Sequence, residues 1–203
     1  MKPFYLVPKN GANDDAVRQQ TLCRAARDKD NFYFFFRSME PETAKLRAPS
    51  REKDAQDIWQ DNCLELFLAS ARNAENGCQF IINSAGSSSD NRFGPGYTDW
   101  KWDGGAEFKV HVEPGKYWDL EIRIPRRNPG MLSGDSIMAN VCRHRVVDGE
   151  KNSYDTWSPF VTGSNRKISA YGELLFQAPE DNNLIDTPDF DKPVRGKRFI
   201  GKW

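Results

Sequence analysis

The residue of this chain best placed for chemistry is Glu65. It lies in Cys-Leu-Glu-Leu-Phe-Leu, where Leu64, Leu66 and Leu68 alternate with Cys63, Glu65 and Phe67. That period of two is the mark of a strand with its leucines on the core face. The acid is therefore left in the middle of the opposite face, and Trp59 stands in the turn leading into the strand. A carboxylate accepts hydrogen bonds and a flat indole covers apolar surface, so the pair reads as a polar binding site.

The next strand, Cys78 to Ser84, repeats the arrangement: Phe80 and Ile82 take the core face, and Gln79, Ile81 and Asn83 the other. Gln79 and Asn83 thus share a face with Glu65. Arg143 has two readings, as an outward hydroxyl donor or, by its parity with Val141, as a core-side residue unless a bulge intervenes. Glu65 itself competes between binding a ligand and forming an ion pair with Arg37 or Arg143.

The elements that must hold these residues are strands. Lys2 to Val7 reads as a short edge strand, and Thr21 to Arg27 with Asn31 to Ser38 as a hairpin whose second arm, Phe-Tyr-Phe-Phe-Phe-Arg, is aromatic on both faces. Glu40 to Gln60 is a charged connection that delivers Trp59. Ala85 to Thr98 reads as a glycine-rich loop, and Asp148 to Arg166 as a long loop carrying Tyr-Asp-Thr-Trp-Ser-Pro. Ala106 to Val112 and Trp118 to Pro125 alternate cleanly. Ser136 to Val147 is a strand with Met138, Asn140, Cys142 and His144 on one face, and Lys167 to Phe176 closes the set. These segments predict an all-β protein, an antiparallel β-sandwich of the jelly-roll or immunoglobulin-like kind with about nine or more strands and long loops.

At 203 residues with no linker composition, the chain reads as one domain spanning 1–203, with 178–203 as a docked tail anchored by Phe190, Phe199, Ile200 and Trp203. Lysine plus arginine equals aspartate plus glutamate at 29 each, which gives no reason to expect nucleic acid or an anionic membrane as partner. No apolar run spans a bilayer and no signal peptide is visible. Cys23, Cys63, Cys78 and Cys142 lack zinc or redox spacing, so they read as buried free thiols, with one disulfide as the alternative.

Six segments in order resemble the family 9 carbohydrate-binding modules and their relatives among the DOMON-like sandwiches. They are Ile-Trp-Gln-Asp-Asn-Cys-Leu-Glu-Leu-Phe-Leu (58–68), Phe-Ile-Ile-Asn-Ser-Ala-Gly (80–86), Trp-Asp-Leu-Glu-Ile-Arg-Ile-Pro (118–125), Asn-Val-Cys-Arg-His-Arg (140–145), Trp-Ser-Pro (157–159) and Tyr-Gly-Glu-Leu-Leu-Phe (171–176). The resemblance covers roughly 20–177. It implies non-catalytic binding of a mono- or oligosaccharide or a polysaccharide chain end, in an extracellular or periplasmic module associated with polysaccharide degradation. By motif, Trp59 and Trp157 resemble two loop platforms that sandwich a sugar ring, Glu65 the acid and Asn83 the amide; Ile81 departs from the pattern, standing where a polar residue is expected. The family also implies structural calcium, for which Asp54, Asp57, Asp61 and Asp90 are loop oxygens of a suitable kind.

Three other readings stand beside this one. A structural or protein-interaction sandwich would keep the fold without the sugar site. A glycoside hydrolase needs two carboxylates about 5–9 Å apart across a sugar, and Glu65 with Glu121 or Asp119 is the pairing to test. A haem-binding DOMON domain would need a methionine with His144. Met138 shares its strand face but lies about 20 Å away, leaving Met39 or Met131.

Overall fold

The computed structural model describes residues 3–8, 19–126, 135–159, 164–176 and 199–202. Fourteen strands carry the fold: β1 (Phe4–Tyr5), β2 (Val7–Pro8), β3 (Thr21–Arg27), β4 (Asn31–Met39), β5 (Cys63–Ala69), β6 (Gly77–Asn83), β7 (Ser88–Gly94), β8 (Tyr97–Asp99), β9 (Glu107–Glu113), β10 (Tyr117–Pro125), β11 (Ser136–Arg145), β12 (Ser153–Thr156), β13 (Gly172–Phe176) and β14 (Phe199–Lys202). A five-stranded sheet runs β1-β3-β4-β10-β9. A nine-stranded sheet runs β14-β13-β11-β5-β6-β7-β8, with β12 beside β11 and β2 beside β12. Every named pairing is antiparallel.

The two sheets form a β-sandwich over one principal core. Leu64, Leu66 and Leu68 of β5 and Phe80 and Ile82 of β6 meet Phe32, Phe34 and Phe36 of β4 and Trp118, Leu120 and Ile122 of β10. The alternation read for β5, β6 and β10 is therefore the alternation that folds. β4 is central in its sheet as its aromatic content requires, with Phe35 buried on the outer side beneath the Arg37 guanidinium, 5.7 Å from the ring centroid.

Several expectations are corrected. The amino-terminal strand is two short strands that belong to different sheets. β1 pairs with β3 and β2 with β12, and the fully buried Leu6 sits at the crossing. The supposed loop 85–98 contains β7 and β8. Its Ser-Ser-Asp-Asn-Arg-Phe-Gly run hides a strand because polar residues take both faces, Asn91 meeting Gln79 on the outer one and Asp90 accepting from the Gly104 amide on the other. The supposed loop 148–166 contains β12, and that four-residue strand decides which way Trp157 points. All four cysteines are buried free thiols. No described helix is long and apolar enough to cross a membrane. In the tail, 177–198 and Trp203 lie outside the described residues, Phe190 among them; the backbone of Phe199–Lys202 pairs with β13. Met131 also lies outside them.

Candidate functional site

The outer face of the large sheet is built in rows by the strand register. One row runs Thr156, Cys142, Glu65, Ile81, Ser89 across β12, β11, β5, β6 and β7, on the order of 20 Å wide. On one side lies the row Asn140, Phe67, Gln79, Asn91, and on the other Tyr154, His144, Cys63, Asn83. Period two places all of these side chains away from the leucine core.

Polar groups along the face form a continuous chain. Gln79 Nε2 donates to Glu65 Oε2 at 2.6 Å, and Gln79 Oε1 accepts from Asn91 Nδ2 at 3.2 Å and from Arg166 Nη2 at 2.8 Å. Arg166 Nη1 donates to Thr98 Oγ1 at 2.7 Å, and its guanidinium lies 5.2 Å from the Phe93 centroid and 5.7 Å from that of Trp100. Burial lowers the arginine's pKa, and the Glu65 charge opposes that shift. The carboxylate is thus fixed in direction and its charge is balanced across two residues.

Trp59 belongs to a single 3-10 turn, Ile58–Gln60, whose Ile58 packs on Cys63 and Ile81 of the same face. The turn is held by His144, whose Nδ1 lies 2.8 Å from the Trp59 carbonyl. A carbonyl can only accept, so the imidazole carries its proton on Nδ1. Burial lowers the His144 pKa, against the bond to Trp59. The Tyr154 ring stacks on it at 4.0 Å with planes 9° apart. The Trp59 side chain is 44% exposed and Tyr154 39%. Two exposed aromatics therefore stand at one end of a face whose middle is a carboxylate.

Of the residues expected from sequence, Glu65 and Gln79 are hydrogen-bonded to one another, and the turn that carries Trp59 packs on the same face. Trp157 does not. With Tyr154 and Thr156 facing outward on β12, Trp157 falls to the opposite parity and enters the inter-sheet core, 4% exposed, 4.6 Å from Phe4 by ring centroids. Its indole lies directly on the Gly172 backbone, where a Cβ would come within 2.7 Å of the ring. It is no second platform.

Asn83 lies on the outer face but is saturated by protein. Its Nδ2 donates to Pro49 O and Asp61 Oδ2, both at 3.0 Å, while its Oδ1 accepts from the Ala85 and Ser87 amides at 3.1 and 2.8 Å. Two donors and two lone pairs are used, leaving none for a ligand. Arg143 takes the core side, as its parity with Val141 allows, and is fully buried. It donates to Glu40 Oε2, Met39 O and Gln19 O, tying the sheets together from within. The alternative partners for Glu65 are also excluded by geometry, since Arg37 pairs with Asp119 at 2.9 Å and Arg143 with Glu40 at 3.2 Å.

The hydrolase pairing is corrected too. Asp119 and Glu121 point outward from the five-stranded sheet and Glu65 outward from the nine-stranded one, so both sheets stand between them. Of the candidate calcium oxygens, those of Asp57 and Asp61 are engaged by Arg51, while Asp90 keeps its buried Oδ1 without a partner. Arg51 donates to both oxygens of Asp61 and to Asp57 Oδ2, each at 2.7 Å, placing a guanidinium where a metal would sit. Asp90 accepts from the Gly104 amide at 3.1 Å, and its own amide lies 3.5 Å from Asp54 Oδ1. Among the described residues no three His, Cys, Asp or Glu side chains gather to hold a metal ion.

Tyr154, Asn91 and Arg166 were not read from the sequence as site residues. A period-two reading of Tyr-Asp-Thr-Trp opposes Tyr154 to Trp157, and the same reading of β7 aligns Asn91 with Gln79. Nothing local marks Arg166, which arrives from a segment 87 residues beyond its partner Gln79.

No protein-family model matches the chain, and no curated protein sequence matches it. Solved structures do. A candidate carbohydrate-binding protein from Bacteroides uniformis superposes with a TM-score of 0.67 at 18% identity, covering 87% of each chain. A family 9 carbohydrate-binding module (CBM9) from Caldicellulosiruptor kristjanssonii superposes with TM-scores of 0.62 in its glucose complex and 0.63 in its cellotriose complex. Both are 14% identical and cover 92% of this chain and 88% of that one. The fold is CBM9-like. At these identities the CBM9 likeness speaks for the sandwich and its topology, and the site rests on the residues described above.

Proposed function

We propose that this chain is a non-catalytic saccharide-binding module whose site is the outer face of the large sheet at Glu65. The observation that carries the reading is the fixed Glu65–Gln79–Arg166 chain on the same outer face as the 3-10 turn that carries the exposed Trp59. A sugar ring offers hydroxyls in its plane and C–H groups on its face. Glu65 accepts from the hydroxyls, and Trp59 and Tyr154 cover the apolar face. A module of the same fold bound to glucose and to cellotriose supports this choice of ligand. Aromatic contacts of about 0.5–1.5 kcal/mol beyond burial, with a few solvent-competing hydrogen bonds, suggest a dissociation constant between about micromolar and millimolar. Recognition of a polysaccharide chain end, an extracellular or periplasmic location and association with a polysaccharide-degrading protein belong to this reading. Arg51 donates to the Asp57 and Asp61 oxygens, so a structural calcium, if bound, would draw on Asp54 and Asp90.

Calorimetric titration with glucose, cellotriose and a wider glycan panel tests it, with Trp59→Ala as the control. Heat from at least one saccharide, reduced in the variant, is the expected result; no heat from any of them sinks the reading. A second reading, a structural or protein-interaction sandwich, is favoured by the loss of Trp157 and Asn83 from the expected sugar contacts, and it predicts that null result.

A further inference from the structure

The outer face has a concavity on the far side of Arg166. A crevice of about 710 Å³ opens between the β5–β6 turn, the β7–β8 hairpin and the segment around Ser169; Arg72, Asn73, Glu75, Tyr97 and Arg166 are among its lining residues. That volume lies in the range of small-molecule sites. Tyr97 is 43% exposed yet fixed twice. Its hydroxyl donates to Asn76 Oδ1 at 3.0 Å, and one side of its ring rests on Gly94, where a Cβ would come within 2.5 Å of Cε1. Such a ring loses little freedom when something stacks on its open side. Arg72 is pinned through Nη1, which donates to Tyr171 O at 3.0 Å and Ser169 O at 3.3 Å, and among the described residues no hydrogen bond engages its Nε or Nη2.

We propose that this crevice is a second saccharide site, taking a neutral hexose unit stacked on Tyr97, with Arg72 donating to its hydroxyls and Glu75 accepting from them. Neutrality follows from the rim. Arg72 and Glu75 offset one another, and the charge of Arg166 is met by Glu65 through Gln79. The choice of a sugar as ligand rests on the reading of the outer face given above; the site itself rests on the crevice and the immobilised ring.

The test is amide chemical-shift mapping on the full chain titrated with glucose, cellotriose and other neutral hexoses. Two groups of shifts are expected, one around Trp59 and Glu65 and one around Gly94, Tyr97 and Ser169. Tyr97→Ala should weaken the second group about tenfold, the scale of one stacking contact, and leave the first unchanged. Tyr97→Phe, which keeps the ring and removes its tether, should weaken it less. Shifts at the crevice without shifts at Trp59 would refute the outer-face reading and leave this site standing. Absence of crevice shifts in the unmodified chain, or a second group indifferent to Tyr97→Ala, overturns the proposal.

Discussion

Gln79 hands its amide hydrogen to Glu65 across 2.6 Å and turns its oxygen to Arg166 and Asn91. One neutral side chain therefore links an acid to a base on neighbouring elements and fixes both. Glu65→Gln keeps the shape and removes the charge. Saccharide affinity should fall by about 1.5–3 kcal/mol, the worth of a hydrogen bond to an ionised group, while the melting temperature changes little. Calorimetry and thermal unfolding on the same preparation check both halves.

The two tryptophans expected to act together should separate cleanly on substitution. Trp157→Ala empties a core site and should cost about 3–5 kcal/mol of stability. Trp59→Ala removes an exposed ring and should stay within about 0.5 kcal/mol in stability while abolishing most sugar binding at the Glu65 face. Gly172→Ala should mimic the Trp157 defect in milder form, about 1–3 kcal/mol, by overpacking against the indole. Denaturant unfolding of the three variants gives the ranking.

These contrasts show how much was legible beforehand. The alternation of β5, β6 and β10 gave the leucine face and placed Glu65 and Gln79 correctly, because period two is a property of the backbone itself. Trp157 was misplaced because a four-residue strand sets its parity and leaves almost no periodic signal. Asn83 was misjudged for another reason. Its partners Pro49 and Asp61 come from a distant connection, and saturation of an amide cannot be read along the chain.

Arg143 and Glu40 are both fully buried, with Arg145 adding two bonds to the same carboxylate at 2.7 and 3.0 Å. Glu40→Ala would leave Arg143 in the interior without its hydrogen-bonded carboxylate, with only the charge of Asp155 to oppose its own. Breaking a buried pair from one side costs about 3–5 kcal/mol, and this variant should unfold at markedly lower denaturant. Survival with unchanged stability would show that Arg143 does not depend on Glu40.

Burial raises the Asp90 carboxyl from its ordinary 3.8 to about 6, with the Gly104 amide opposing. Between those values the folded protein holds a proton that the unfolded chain has released. Its contribution to stability is complete below about pH 4 and is lost as pH rises through about 6. His144 acts in the other direction, because its lowered pKa costs stability as pH falls below its unfolded value. The difference between wild type and Asp90→Asn isolates the aspartate. The variant should gain relative stability above pH 6 and none below pH 4.

Arg51 should prove to be the cation that holds the Trp59 turn. Arg51→Gln leaves the buried Asp61 without its guanidinium and should lower both the melting temperature and the saccharide affinity. In the unmodified chain, neither EDTA nor added calcium should move the melting temperature. A drop in EDTA would show that a metal ion contributes where Arg51 has been placed.

The crossing of the chain at Leu6 has a consequence for how the molecule is made. Val7 and Pro8 leave the ribosome long before their partners Thr156 and Asp155 exist. The seam that ties the sheets together at this edge therefore closes late, after most of both sheets can already form, and it closes through contacts of very long sequence separation. Until it does, β12 presents an open strand edge, the kind of surface that recruits a strand from another molecule. A chain nicked between β2 and β3 by a protease would meet the same hazard once its first strands dissociated, even with the binding face intact.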